Sequence, residues 1–227
     1  MHKVMRTAVV TALLAIAPIA AQADGQAFIT ASAGKSHYSG DTGESGTYSY
    51  YGIDATEHVD KKDTAFGVTG GYRWMIDDVF SIGPEAGFVD LGKLSDRVDA
   101  TSPGRWTETD RSEIKNKAAL LGINAKWMLG HSWSLGLRAG FLHMWSRLRS
   151  DVDGVDLYYS PGSRDHYSYK NSSHDNGFYG ALNVGYDFTR NFGVTLGYEH
   201  YHGDYKSDAG SISQKIGVWA AGAEFRF

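Results

Sequence analysis

Alternation of apolar and polar residues with a period of two recurs eight times along this chain. The runs cover residues 27–34, 65–74, 80–88, 118–127, 133–141, 178–188, 192–199 and 218–227. In the second, Phe66, Val68, Gly70, Tyr72 and Trp74 oppose Ala65, Gly67, Thr69, Gly71 and Arg73. In the last, Trp219, Ala221, Ala223, Phe225 and Phe227 oppose Val218, Ala220, Gly222, Glu224 and Arg226. A period of two sends successive side chains to opposite faces of a strand, so each run predicts a strand with one apolar face. Soluble sandwiches also contain such strands, and the connections between them must decide.

Those connections alternate in length. Residues 36–62, 93–112, 149–175 and 203–214 are long and polar, whereas 75–78, 129–132 and 189–191 are tight turns. A barrel threaded through a membrane has that asymmetry, with short turns on the periplasmic side and long external loops. Trp74, Phe80, Trp127, Trp133, Phe188 and Phe192 flank the three tight turns, where an interfacial aromatic girdle belongs. The polar face is mostly Gly, Ala, Ser, Thr and Asn, which suits a narrow interior. In hydrocarbon an unpaired backbone group costs several kcal/mol, roughly, so a membrane sheet must close on itself. The expected fold is all-β: a transmembrane antiparallel up-and-down eight-stranded β-barrel over residues 24–227.

The N-terminus reads as an export signal. His2, Lys3 and Arg6 precede an apolar core from Ala8 to Ala21 broken by Pro18, and Ala21-Gln22-Ala23 offers a cleavage site. Residues 1–23 are therefore expected to be removed, and the protein to reach the outer membrane. Beyond them no apolar run approaches the ~20 residues a membrane helix needs. The remaining chain carries 20 basic against 26 acidic side chains, a net charge of −6, so the basic footprint of a nucleic-acid binder is missing. With no cysteine, no disulfide framework holds the fold.

Several segments resemble small eight-stranded outer-membrane proteins: GYRW at 71–74, EAGFVDLGK at 85–93, GYDF at 185–188, GVTLGYEHY at 193–201 and GAEFRF at 222–227. The group includes OmpA-type transmembrane domains, OmpX/Ail-type proteins and Opa-like surface antigens. The resemblance supports architecture more than activity, and the peptidoglycan-binding domain that follows the barrel in OmpA proper is not expected here. It also implies that the last strand, with Trp219, Phe225 and Phe227 on one face, is the signal read by the barrel assembly machinery through strand addition.

On the face expected to line the lumen, Arg73, Lys126, Arg138 and Arg226 meet Glu85, Asp187, Glu199 and Glu224. Charges enclosed there must be paired. Counting from the tight turns puts Glu85 and Arg138 at similar heights, and Arg73, Lys126, Asp187, Glu224 and Arg226 nearer the periplasmic mouth. One reading is a plug of salt bridges. The other is a narrow gated pore in which the Glu85–Arg138 pair exchanges partners. His200 and His202 share a strand face but lack a third ligand at metal-site spacing, so neither a metal nor another cofactor is expected. The lipid A deacylases, also eight-stranded, use a His–Ser pair oriented by a carboxylate. Here Glu199 and His200 are present but His202 stands where the serine would be, so a catalytic set is not expected. The external loops are the remaining working surface. The first holds Tyr48, Tyr50 and Tyr51 and the third Tyr158, Tyr159, Tyr167 and Tyr169, an adaptable composition for contacting a ligand; the equal alternative is a solvated surface without a ligand, its segments in part strands projecting above the membrane. The expected partners are outer-membrane lipids, the assembly machinery and an extracellular or host ligand, with the protein itself a monomer.

Overall fold

The computed structural model describes residues 25–40, 44–207 and 210–227; the expected signal segment 1–23 lies outside them, as do residues 208 and 209 of the fourth external connection. Ten antiparallel strands make one sheet: β1 (Gly25–Gly40), β2 (Gly46–Tyr50), β3 (Ile53–Asp60), β4 (Lys62–Met75), β5 (Phe80–Ser102), β6 (Trp106–Met128), β7 (Trp133–Asp156), β8 (Arg164–Asp187), β9 (Phe192–Ser207) and β10 (Gly210–Arg226). Eight of them close a ring. β1 lies between β4 and β10, the sequential neighbours β4 to β10 pair in turn, and the β5–β6 pairing completes the circle. The expected eight-stranded barrel is therefore present, and β2 and β3 are an outer hairpin of the first external connection.

The faces follow the alternation. Phe66, Val68, Leu121, Ile123, Leu137, Phe141, Leu182, Val184 and Leu196 point outward and are exposed, which only a lipid environment makes favourable. The aromatics at the tight turns pack against one another: Phe80 on Trp127 at 4.7 Å, Trp133 on Tyr186 at 5.1 Å and Phe188 on Phe192 at 6.0 Å between ring centroids. A second belt is marked by Phe88 with Trp145 and by Tyr198 with Trp219. From Trp133 to Trp145 a tilted strand climbs about 30 Å, near the height of a hydrocarbon layer. Side-chain caps hold the lower turns: Asp77 accepts from the amides of Val79 and Phe80, and the Thr189 hydroxyl from those of Asn191 and Phe192.

The external connections are largely strands that project above the membrane. Most of 36–62, 93–112, 149–175 and 203–214 is paired strand. β5 and β6 run up to a three-residue connection at 103–105, and β7 and β8 to a seven-residue one at 157–163. The β2–β3 turn is the two-residue Tyr51–Gly52, both with positive φ (50° and 76°), the conformation that matches a hairpin's twist. Above the belt, β2, β3, β5, β6, β7 and β8 thus form a protruding sheet. The partners β8 takes from β9 end at Phe178 opposite His202, so the upper part of β8 is an open edge.

Candidate functional site

Two places concentrate chemistry: the lumen and the protruding sheet. The lumen is built in layers because inward positions fall at fixed heights on strands of regular register. Lowest lie Arg73 (β4), Lys126 (β6), Asp187 (β8), Glu224 and Arg226 (β10). Arg73 makes a two-pronged contact with Glu224. Lys126 reaches Asp187 at 3.0 Å and Glu224 at 3.4 Å, and Arg226 donates to Asp187 at 2.7 Å. The Arg73 guanidinium also stacks 3.9 Å over the Phe28 ring.

The next layer holds Arg138 between two carboxylates, at 2.9 and 3.0 Å from the Glu85 oxygens and 2.9 Å from Glu199. The Tyr179 hydroxyl donates to Glu85 at 2.7 Å and the Tyr201 hydroxyl to Glu199. Asn124 joins the layers. Its carbonyl accepts from Arg73 at 2.8 Å and its amide donates to Glu85 at 2.9 Å. All eight charges singled out in the sequence belong to one connected network. The Glu85 side chain is fully enclosed. A cavity of about 40 Å³ lies within it, lined by polar groups including Thr30, Ser32, Thr69 and Thr195. It has room for a few waters.

Above the charges the lumen is dry. Val89, Leu91, Ala118, Leu120, Leu142, Met144, Ile216 and Val218 fill its cross-section, and none is more than 4% exposed. A further polar layer follows: Asn116 donates to Gln214 at 2.8 Å, accepts from Ser146 at 2.6 Å, and Tyr38 donates to the Leu91 carbonyl at 3.1 Å. Sequence reasoning missed this apolar seal. The signal was present in Leu120, a large residue on a face otherwise of small ones, and in Leu142 just past the end of the fifth run.

β5 carries the one irregularity that positions this seal. Between Asp90 and Gly92 the register against β6 shifts by one residue, and the extra residue Leu91 turns its side chain inward. Gly92 takes φ 78°, and a Cβ there would meet Asp63 and the Thr64 carbonyl at 2.8 Å, so glycine is required.

Trp219, Phe225 and Phe227 lie on the outer face of the last strand and are well exposed. Among the candidate chemical groups, Glu199 and His200 fall on opposite faces of β9. Glu199 is spent on Arg138 and Tyr201 inside the lumen and is not available to orient His200. His202 packs outside against the Phe178 ring at 4.8 Å. The tyrosines expected in loops are at strand tips and turns, exposed and partly paired, with Tyr50–Tyr51 at 4.3 Å and Tyr158–Tyr159 at 5.0 Å.

A sequence model of the outer membrane protein beta-barrel domain matches residues 7–227, nearly the whole chain. The chain belongs to that family. No curated protein sequence matches it. Among solved structures it is similar to Ail, the attachment invasion locus protein of Yersinia pestis, at 15% identity and a TM-score of 0.48, covering 90% of this chain and 99% of that one. OprG from Pseudomonas aeruginosa matches at 16% identity and a TM-score of 0.42, covering 91% and 98%. The outer membrane protease OmpT from Escherichia coli matches at 11% identity and a TM-score of 0.37, covering 89% and 96%. Likenesses this distant carry no argument about this chain. Family membership itself implies an outer-membrane location.

Proposed function

We propose that this protein is a non-enzymatic outer-membrane surface protein, exported through a cleaved signal, that holds a rigid sheet above the membrane to engage an extracellular ligand. The observation that carries the reading is the continuation of β5 to β8 well beyond the second aromatic belt, in unbroken pairing for β6, β7 and β8. A barrel that only sealed a membrane has no use for strands of 23 and 24 residues where a tilted crossing takes roughly 9–11. The tips are rich in exposed tyrosine, which gives broad contact at low entropy cost. The filled lumen argues against the channel alternative, since ions would have to displace both a paired charge network and a dry apolar layer. Lipid on the outer face, the assembly machinery on the last strand and a monomeric state complete the proposal.

The test is a shortened barrel in which Asn-Gly turns replace residues 96–112 and 149–170, cut at paired positions so that the membrane strands keep their register. Full-length and shortened proteins are displayed on otherwise non-adherent cells and checked by the mobility shift between boiled and unboiled samples. The shortened form is expected to reach the membrane folded and to lose attachment to extracellular matrix or host-cell surfaces. Equal attachment by both forms, or none above empty cells by the full-length protein, sinks the reading.

A further inference from the structure

The protruding sheet separates its charges by face. On β6, β7 and β8 the pairing runs without a shift from the lumen to the tips, so the side chains that continue the lumen face can be followed upward. With their partners on β3 and upper β5, the charged residues on that face are Glu57, Asp96, Glu108, Asp110, Asp156, Asp165 and, lowest, Asp175. No Lys or Arg of these strands joins them. The opposite face carries the bases and also the ion pairs: Lys93 and Lys115 with Glu113, Arg97–Asp99, Arg111–Asp153, Arg149–Asp151 and His166–Asp153. One face therefore carries all the Lys and Arg of the protruding sheet and pairs four of its acids with its own bases, and the other is left negative.

The negative face also holds a cleft of about 400 Å³. Its floor is Gly154, with Glu108 directly across on β6 and Asp165 directly across on β8. A Cβ on Gly154 would come no closer than 4.0 Å to a neighbour, so the gap above it is open. Trp106 and Tyr167 wall it, Tyr159 reaches in from the β7–β8 turn, and Arg105 sits at the rim in the β5–β6 connection. Asp156 is engaged by the amides of Tyr158 and Tyr159 and Asp110 by two serine hydroxyls. Among the described residues Glu108 and Asp165 carry no such contact. Carboxylates beside aromatic faces form the setting that attracts an ammonium or guanidinium group.

We propose that this face, centred on the Glu108–Gly154–Asp165 cleft, docks an extended segment of another protein bearing lysine or arginine. The proposal rests on the surface role argued above and adds the chemistry of the partner. The carboxylates span β3 to β8, roughly 19 Å at the inter-strand spacing, which matches about six residues of extended chain and exceeds any small cation. Like charges crowd this face: burial and the charges of Glu57 and Asp110 push the Asp96 carboxyl above the usual range. A cationic occupant relieves that repulsion.

The experiment uses the full-length protein in nanodiscs of zwitterionic lipid, with fluorescein-labelled octalysine as probe and octaglutamate as control, read by anisotropy at low salt. Saturable octalysine binding is expected, weakened at least tenfold by Gly154→Leu, which fills the cleft without changing charge. The double change Glu108→Gln with Asp165→Asn is expected to weaken it similarly. Asp99→Asn with Asp153→Asn alters the charge equally on the other face and should shift binding less than twofold. Equal weakening by the two double variants, insensitivity to Gly154→Leu, or saturation by spermidine or calcium with none by octalysine overturns the proposal. If octalysine fails while the shortened barrel still loses attachment, the surface role stands and only the cationic partner is wrong.

Discussion

Replacing Arg138 by alanine tests whether the lumen network is a closed structural unit. The change removes a guanidinium at 2.9 and 3.0 Å from Glu85 and 2.9 Å from Glu199, and leaves the enclosed Glu85 carboxylate facing no cation of its own layer. Breaking a buried pair from one side costs about 3–5 kcal/mol. Glu85 keeps the Asn124 amide and the Tyr179 hydroxyl, and Glu199 keeps Tyr201, so the loss should lie near the low end, about 3 kcal/mol. Adding Glu85→Gln discharges the stranded group while retaining an acceptor for Tyr179 or Asn124, and should recover about 2 kcal/mol. Urea titration of protein refolded into vesicles, followed by tryptophan fluorescence and gel mobility, measures both. A loss under about 1 kcal/mol for Arg138→Ala, or no recovery in the double variant, would falsify the account of a mutually charge-paired network. The same double variant in planar bilayers should stay silent, because Leu120, Leu142 and Met144 still fill the section above. Steady single-channel steps would show that the apolar layer does not seal.

Three further outcomes are expected. Gly92→Ala should cost about 1–2 kcal/mol in the same titration, since alanine is strained at φ 78° and its methyl meets Asp63; a change below about 0.5 kcal/mol would discount the bulge. On the outward face of the extension, Arg97 holds the Asp99 carboxyl below its ordinary range and Arg149 does the same for Asp151. A depressed carboxyl adds stability above its unfolded pKa and loses it as pH falls through the folded one, so amide protection in residues 95–114 and 147–156 should hold at about pH 5 and fall below about pH 4. Protection that stays flat to about pH 2 would discount those pairs. Phe227→Ala should lower the amount assembled in cells by more than the drop in urea midpoint of refolded protein explains, that drop coming from the outward ring's lost lipid and Phe225 contacts; equal cellular yield removes its role as a signal.

The membrane crossing was legible because lipid and lumen impose opposite demands on neighbouring residues. Leu121 against Gly122 and Phe178 against Tyr179 carry that contrast, and the lumen charges follow from the same parity. The protruding strands lack it. In Asp96-Arg97-Val98-Asp99 and Arg149-Ser150-Asp151-Val152 both faces meet water, so no period of two survives and the segments resemble loops. Their strand character comes from backbone pairing with already fixed neighbours, which a single sequence does not display. The seal was hidden for a different reason. Leu91, Leu120, Leu142 and Ile216 come from four separate strands, and only closure of the ring brings them to one height.

The extra residue at Leu91 sets more than the packing below it. Odd positions of β5 face inward up to Leu91, and even positions do so from Leu94 onward. Were Leu91 paired opposite Asn116 instead of bulged, with the pairing above slid by one, Arg97 and Asp99 would turn to the carboxylate-rich face, and Asp96 would leave it. The segregation of charge outside the membrane thus depends on a single insertion at its border. Loss of that register shift rewrites the electrostatics of the tip, whereas a length change in the 157–163 connection leaves the faces of these strands as they are.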